Sequence, residues 1–316
     1  MPSPREQEMF VRAATLYYID GKSQAEVATE LGISRSNVSR VLTSARANGI
    51  VDIRINAPFR RDSKLERDLI QKYGLKEARV APSGAPEMQL ARVGELGAQW
   101  LMDHLPFEGS IAVSWGSAVQ AVVEEIARDP THSTLEILPL VGGLSIVDAA
   151  RDGNVLVRAL AIKLGARHRR LYAPAVVEST TARTAFLTET SIRTVLEAAS
   201  QAQVAIVGIG SVGEGASSAI IDSMSLSATE LAQFRDSGAV GDCCTRYFDD
   251  NGTAVDSSVN DHVIAIDLPS LRKIPKVVGV AAGIHKAAGT HGALKGKLLH
   301  SLVVDSALAT ALLALD

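Results

Sequence analysis

The sequence predicts an α/β fold in two parts: a winged helix-turn-helix over residues 1–56, a linker over 57–63, and a mostly parallel α/β domain over 64–316. Three observations lead there. Residues 23–42, SQAEVATELGISRSNVSRVL, place small, turn-forming and apolar side chains where two crossing helices need them. Apolar β-branched runs then alternate with longer helical patterns, as in a parallel sheet covered on both faces. Charge also divides the chain: residues 1–61 hold nine Lys and Arg against six Asp and Glu, a net +3, whereas the whole chain carries −3 and the remainder therefore −6.

Counting Gln24 as position one, Ala28 stands fifth, Gly32 ninth and Val38 fifteenth. A small residue lets the helices cross closely, a glycine takes the left-handed turn, and an apolar residue holds the second helix to the first. Leu16, Ile19, Val27, Leu31, Ile33, Val38, Val41 and Leu42 supply a buried face at spacings of three and four. Ser34 caps the second helix. Its outward side chains, Arg35, Ser36, Asn37, Ser39 and Arg40, suit base edges and phosphates, with no carboxylate among them. The run VDIRIN, 51–56, alternates like a wing strand with Arg54 on its exposed side. Double-stranded DNA is the partner these residues imply, with Gln24, Ser34, Arg35, Ser36, Asn37, Ser39, Arg40 and Arg54 as candidate contacts.

A chain of 316 residues has room for a second domain with a large core. No apolar run approaches the roughly 18 to 20 residues of a membrane span, and MPSPREQEMF lacks an apolar signal core, so a cytoplasmic protein is expected. Cys243 and Cys244 are adjacent, which strains a mutual disulfide and fits a reducing compartment. The seven His residues show no HxxxH spacing and the cysteines no CxxC, so neither metal nor cofactor is expected.

After the linker, APFRRDS, residues 64–74 read as a helix closed by glycine and 77–82 as a strand closed by proline. Further strands are predicted at 110–114, 135–141, 204–209, 263–267, 277–282 and 301–305. Helices are predicted at 87–104, 117–128, 154–164, 189–200, 229–237 and around 293–299. Ligands in such sheets bind at the carboxyl ends of strands. Four loops there carry glycine: SWGS at 114–117, VGGL at 141–144, GIGS at 208–211 and AGIHK at 282–286. Glycine lets backbone N–H groups approach an oxygen-rich ligand, and a following helix N-terminus favours a negative group. GIGS lacks the third glycine of a dinucleotide fingerprint, and Gly213 and Gly215 follow in an extended loop.

Over residues 17–313 the motifs run NGIVDIRI, SWG, LPLVGGL, VAIVGIGS, SGAVGDCCTRYFDDNG, VNDHVIAIDL, IPKVVGVAAGIHK and LVVD. In this order they resemble the SorC type of sugar-responsive bacterial transcriptional regulators, relatives of the deoxyribonucleoside and central glycolytic gene repressors. The effector part of that family resembles sugar-phosphate isomerases. The resemblance implies a homotetramer that binds operator DNA, with a sugar, sugar phosphate or polyol altering its affinity.

It also implies effector-binding residues. Asp242, in AVGD, offers a carboxylate to ligand hydroxyls, and Lys286 faces a phosphate. Gly116 and Ser117 match one loop, Gly142 and Gly143 another, and Asn260 in VND lines or braces the pocket. The chain departs from the pattern at Ala118 and Ala282, which remove a hydroxyl or backbone access near the phosphate. An unphosphorylated ligand therefore stays open. Residues 144–148 hold no lysine for imine capture of an aldehyde sugar. An isomerase reading lacks a carboxylate or histidine placed for proton abstraction from carbon, so the chain is expected not to be an enzyme. A constitutive DNA-binding protein with an oligomerisation domain is the remaining alternative.

Overall fold

The computed structural model describes residues 4–51, 61–144, 149–213 and 215–316. The chain divides into two compact units, Met1–Pro58 and Phe59–Asp316.

In the first unit, α1 (Pro4–Ala14) continues into a wider π turn at Thr15–Ile19 and is followed by α2 (Gln24–Leu31) and α3 (Arg35–Ala47). Ser23 Oγ accepts from Glu26 N while the Glu26 carboxylate accepts from Ser23 N, a reciprocal cap that starts α2. Gly32 ends α2 at φ 67°, and Ser34 Oγ accepts from Asn37 N at 3.2 Å to start α3. Ala13, Leu16, Val27, Ala28, Val38 and Leu42 form the core of this unit. Ile19 departs from the predicted buried face and is 79% exposed. The π turn, closed by Asp20 N donating to Thr15 O, inserts an extra residue that rotates Ile19 away. The predicted wing at 51–56, with Arg54, falls outside the described residues after Val51.

The second unit contains β1 (Glu77–Ala81), β2 (Gly109–Val113), β3 (Leu135–Pro139), β4 (Arg167–His168), β5 (Val204–Gly208), β6 (Gly210–Ser211), β7 (Gly241–Cys243), β8 (Arg246–Phe248), β9 (Lys276–Ala281) and β10 (Ser301–Asp305). Seven of them make a parallel sheet in the order β1-β10-β9-β5-β2-β3-β4, and β6-β7-β8 make a small antiparallel sheet. Successive side chains of a strand enter opposite layers: Ile111 and Val113 join one core and Ala112 the other. The first core is completed by α5 (Pro86–Asp103), α6 (Ser117–Glu125) and α7 (Gly153–Leu164). The second draws on α4 (Ser63–Tyr73), α9 (Thr190–Ser200), α14 (Ala287–Lys295) and α15 (Ser306–Ala314), with α8 (Thr180–Thr188), α10 (Gly215–Ser223), α11 (Ala228–Asp236), α12 (Ser258–Asp261) and α13 (Leu268–Lys273) between them in sequence.

Two glycines set the closeness of α5 and α6. A Cβ on Gly94 would lie 2.7 Å from the carbonyl carbon and oxygen of Ala121, and one on Gly97 would overlap Val122. Gly94→Val is therefore expected to destabilise the domain by about 1–3 kcal/mol or more, read as a lower urea midpoint.

Several predicted elements differ. Residues 263–267 form no sheet strand: Val263 and Ala265 make single antiparallel bridges to Val176 and Val141, and a buried arginine takes their carbonyls. The helix predicted around 293–299 is α14, which begins at Ala287 and stops at Gly296, before Lys297 at φ 55°. The loop read through Gly215 is the start of α10. Of the expected linker, 57–60 lie outside the described residues. Asp62 accepts from Leu65 N to cap α4, and Arg61 pairs with Glu66 at 2.7 Å. Among the described residues no helix is long and apolar enough to cross a membrane.

Candidate functional site

A cavity of about 630 Å3 opens at the carboxyl ends of β1, β10, β9, β5 and β2, five neighbours in the sheet. Its floor is built by glycine. Gly116 sits at φ 114°, a conformation closed to other residues, and precedes α6 with no side chain capping that helix. The first N–H groups of α6 have no intrahelical partner, and they carry the positive end of its dipole. Ser117 and Ala118 line the cavity beside them.

Asp242 lies on β7, only 2% exposed, and reaches the same cavity. One carboxylate oxygen accepts from Ser217 Oγ at 2.5 Å and the other from Thr245 N at 3.1 Å. Each oxygen keeps acceptor capacity. Burial pushes the Asp242 pKa above the usual carboxylate range, while Ser217, Lys286 and the Thr245 N–H pull it back. Asp242 is held in place by close backbone packing: a Cβ on Gly241 would stand 2.5 Å from Gly289 Cα of α14. Trp115 Nε1 donates to Thr245 Oγ1 at 3.1 Å, tying the β2 loop to this hairpin.

Lys286 lines the cavity where a short 3-10 turn, Ile284–Lys286, leads into α14. Asp305 also lines it, yet its oxygens already accept from Gly283, Ala307 and Leu308 N–H groups. Arg151, His285 and Ser217 are among its other polar lining residues. Sequence reasoning missed Arg151, which follows no strand end, and Ser217, which lies two residues past the loop read at Gly213 and Gly215, on α10.

Gly116, Ser117, Asp242 and Lys286 thus share one cavity, whereas Gly142, Gly143 and Asn260 are absent from its lining. The glycine pair serves chain packing instead. Gly142 N donates to Ile264 O, Gly143 N to Ala173 O and Ala175 N to Gly143 O, and a Cβ on Gly142 would overlap Pro174. Their strand, β3, lies one position beyond the five that frame the cavity. Asn260 braces the hairpin: its Oδ1 accepts from Tyr247 N, and its Nδ2 donates to Tyr247 O and Val255 O, all at 2.9 Å.

On α3, Arg35, Ser36, Ser39 and Arg40 are exposed, and the half-buried Asn37 accepts from Arg40 through Oδ1. Ser34 is exposed but its hydroxyl caps the helix, and Gln24 is half-buried on the first turn of α2. Cys243 and Cys244 are buried thiols, and their mutual hydrogen bond followed by burial pushes the Cys243 thiol well up. Among the described residues no three His, Cys, Asp or Glu side chains gather as a metal site.

A parallel sheet with a cavity of mixed polar and apolar lining at its strand ends, preceded by a helix-turn-helix, is the plan of a ligand-binding transcriptional regulator. Residues 57–314 match the family described as "Putative sugar-binding domain", and residues 3–48 match sigma-70 region 4. The chain is 33% identical over 323 residues to the sorbitol operon regulator of Klebsiella pneumoniae, covering 99% of this chain and 100% of that protein. It is 29% identical over 309 residues to the deoxyribonucleoside regulator of Bacillus subtilis, covering 97% of each. The crystal structure of full-length SorC from Klebsiella pneumoniae aligns with a TM-score of 0.74 at 32% identity, over 98% of this chain and 99% of that one. The chain belongs to the SorC family of sugar-responsive transcriptional regulators. It is a regulator of transcription with a DNA-binding helix-turn-helix and a sugar-binding domain, and the relatives it matches are regulators of transcription.

Proposed function

We propose that a phosphorylated sugar or polyol enters the cavity and changes the affinity of this chain for its operator. The observation that carries this is the pairing, within one cavity, of a buried carboxylate with an uncapped helix N-terminus. Asp242 accepts from ligand hydroxyls, and the N–H groups that open α6, with Lys286 and Arg151, receive the phosphate. Backbone N–H groups supply the anion contacts that a hydroxyl at position 118 would have given. The DNA-binding part spans 1–56 and the effector part 64–316. The protein works in the cytoplasm as a homotetramer, and effector binding selects the quaternary arrangement that sets the spacing of the recognition helices.

Calorimetry against pentoses, hexoses, polyols and their phosphates tests the ligand class. A saturable heat only with phosphorylated compounds is the expected result, and tighter binding of the parent sugars overturns the phosphate assignment. On the DNA side, Arg35→Ala and Arg40→Ala are each expected to weaken operator binding by about 1–3 kcal/mol if they read a base edge, while ligand heats stay unchanged. Fluorescence anisotropy with a labelled operator measures it; no loss in either variant removes α3 as the reading face.

A further inference from the structure

The effector part, 64–316, carries −5 overall, yet residues 158–170, RALAIKLGARHRR, hold five Lys and Arg and no carboxylate, so the rest of that part carries −10. The fold brings the elements that carry these cations to one end of the effector part's sheet, where α7 packs against β3 and β4. β4 is the terminal strand of the seven, with β3 on one side and, among the described residues, no strand on the other, and the segment that follows it bonds back to α7 through Asn154. Lys163 is tied to the carbonyls of Glu124 and Ile126, and Arg169 is paired with Glu136 at 2.9 Å. The side chains of Arg158 and Arg167 are exposed and make no hydrogen bond or ion pair among the described residues. Arg170 is exposed and donates only to the hydroxyl of Tyr172, which is itself 77% exposed.

A solvated face normally interleaves both signs of charge, and a contact between two copies across this edge would set arginine against arginine. The strip therefore fits a polyanion. We propose that Arg158, Arg167 and Arg170 form a second, sequence-independent DNA contact on the effector part, gripping backbone phosphates of the duplex that the helix-turn-helix has already bound. Such a contact is weak alone. Tethering makes it effective, because the covalent link holds the strip at a high local concentration beside the DNA. Guanidinium groups suit phosphate through paired N–H donors, and an exposed phenol adds a further donor to a backbone oxygen.

The test uses the full-length chain with Arg158→Gln, Arg167→Gln and Arg170→Gln combined, substitutions at exposed side chains. Operator affinity is measured by anisotropy from 50 to 200 mM salt. Each lost phosphate contact lowers the slope of log K against log salt by about 0.9, so the slope is expected to shrink by about 2 to 3. The loss should be the same when the flanking sequence is scrambled. An unchanged slope overturns the proposal. So does a change of sedimentation that shows fewer subunits with the slope per subunit preserved, which would make the strip a contact between copies, or a loss confined to binding of an acidic protein. Arg35→Ala in parallel separates this inference from the assignment of α3: if it too leaves binding unaltered, the DNA face was misplaced.

Discussion

Asp242→Asn is expected to shift effector control to roughly ten- to a hundredfold higher ligand concentration, about 1.4–2.8 kcal/mol, while leaving operator binding without ligand intact. The substitution keeps the shape of the side chain. The amide oxygen can accept from Thr245 N, and the amide nitrogen can donate to Ser217 Oγ, because a hydroxyl accepts as readily as it donates. The fold of the hairpin therefore survives. What disappears is the ionised acceptor. Hydrogen bonds to a charged group contribute about 1.5–3 kcal/mol against about 0.5–1.5 for neutral ones, so ligand affinity should fall roughly ten- to a hundredfold, about 1.4–2.8 kcal/mol. Titration calorimetry reads the loss directly, and full retention of affinity would remove Asp242 from the ligand. The same group gives a pH dependence. Burial raises its pKa above the usual carboxylate range, so the charged acceptor is lost as pH falls through that raised value. Wild-type affinity should consequently decline at a less acidic pH than an ordinary carboxylate would give, and the Asn variant should show no such decline.

Much of this arrangement was legible in the sequence, for reasons that can be assigned. The turn at Gly32 and the cap at Ser34 are local, each satisfied within a few residues, and both appear as read. The central strands are apolar on both faces, and β10 matches its predicted bounds, 301–305, residue for residue. What was not legible depends on contacts distant in sequence. Gly142 and Gly143 look like every other strand-end glycine until the chain at 173–175 is seen crossing over them. The strand pattern at 263–267 is genuine, but the carbonyl groups that would build a ladder are taken by a side chain seventeen or more residues earlier. The short strands β6, β7 and β8 have two or three residues each, too few for any periodicity to register, although the middle one carries Asp242. Arg151 offers no local signal at all; only the folding of its loop against Gly116 N brings it to the cavity.

Arg246 controls whether that hairpin exists, and Arg246→Met is the substitution expected to destabilise the effector domain most. The guanidinium is 7% exposed and makes hydrogen bonds only to backbone: Nη1 to Asn260 O at 2.7 Å, Nη2 to Ala265 O at 3.2 Å and Val263 O at 3.3 Å, and Nε to Ile266 O at 3.4 Å. Burial first, and then the neighbouring Arg183, lowers its pKa to about 10, so it remains cationic at neutral pH. One planar fork thereby satisfies carbonyls along 260–266 that no strand pairs in series, and it fastens β8, and with it Asp242 on β7, to that segment. Methionine fills a similar volume but donates nothing. Val263 O keeps the bond from Arg183 Nε and Asn260 O keeps the one from Val263 N at 3.4 Å, whereas the carbonyls of Ala265 and Ile266 lose the donor described here. Stranding buried acceptors costs about 1–3 kcal/mol each, and breaking a buried charged network about 3–5 kcal/mol in total. Against the 5–15 kcal/mol typical of a folded domain, this is a severe loss. Chemical denaturation followed by tryptophan fluorescence should show the midpoint fall accordingly, with ligand binding weakened in the fraction that stays folded. Arg246→Lys, with three donors and no fork, should fall between the two. A methionine variant within 1 kcal/mol of the parent would mean that the segment 260–266 holds itself, and that Asp242 is positioned by the glycine contact with α14 alone.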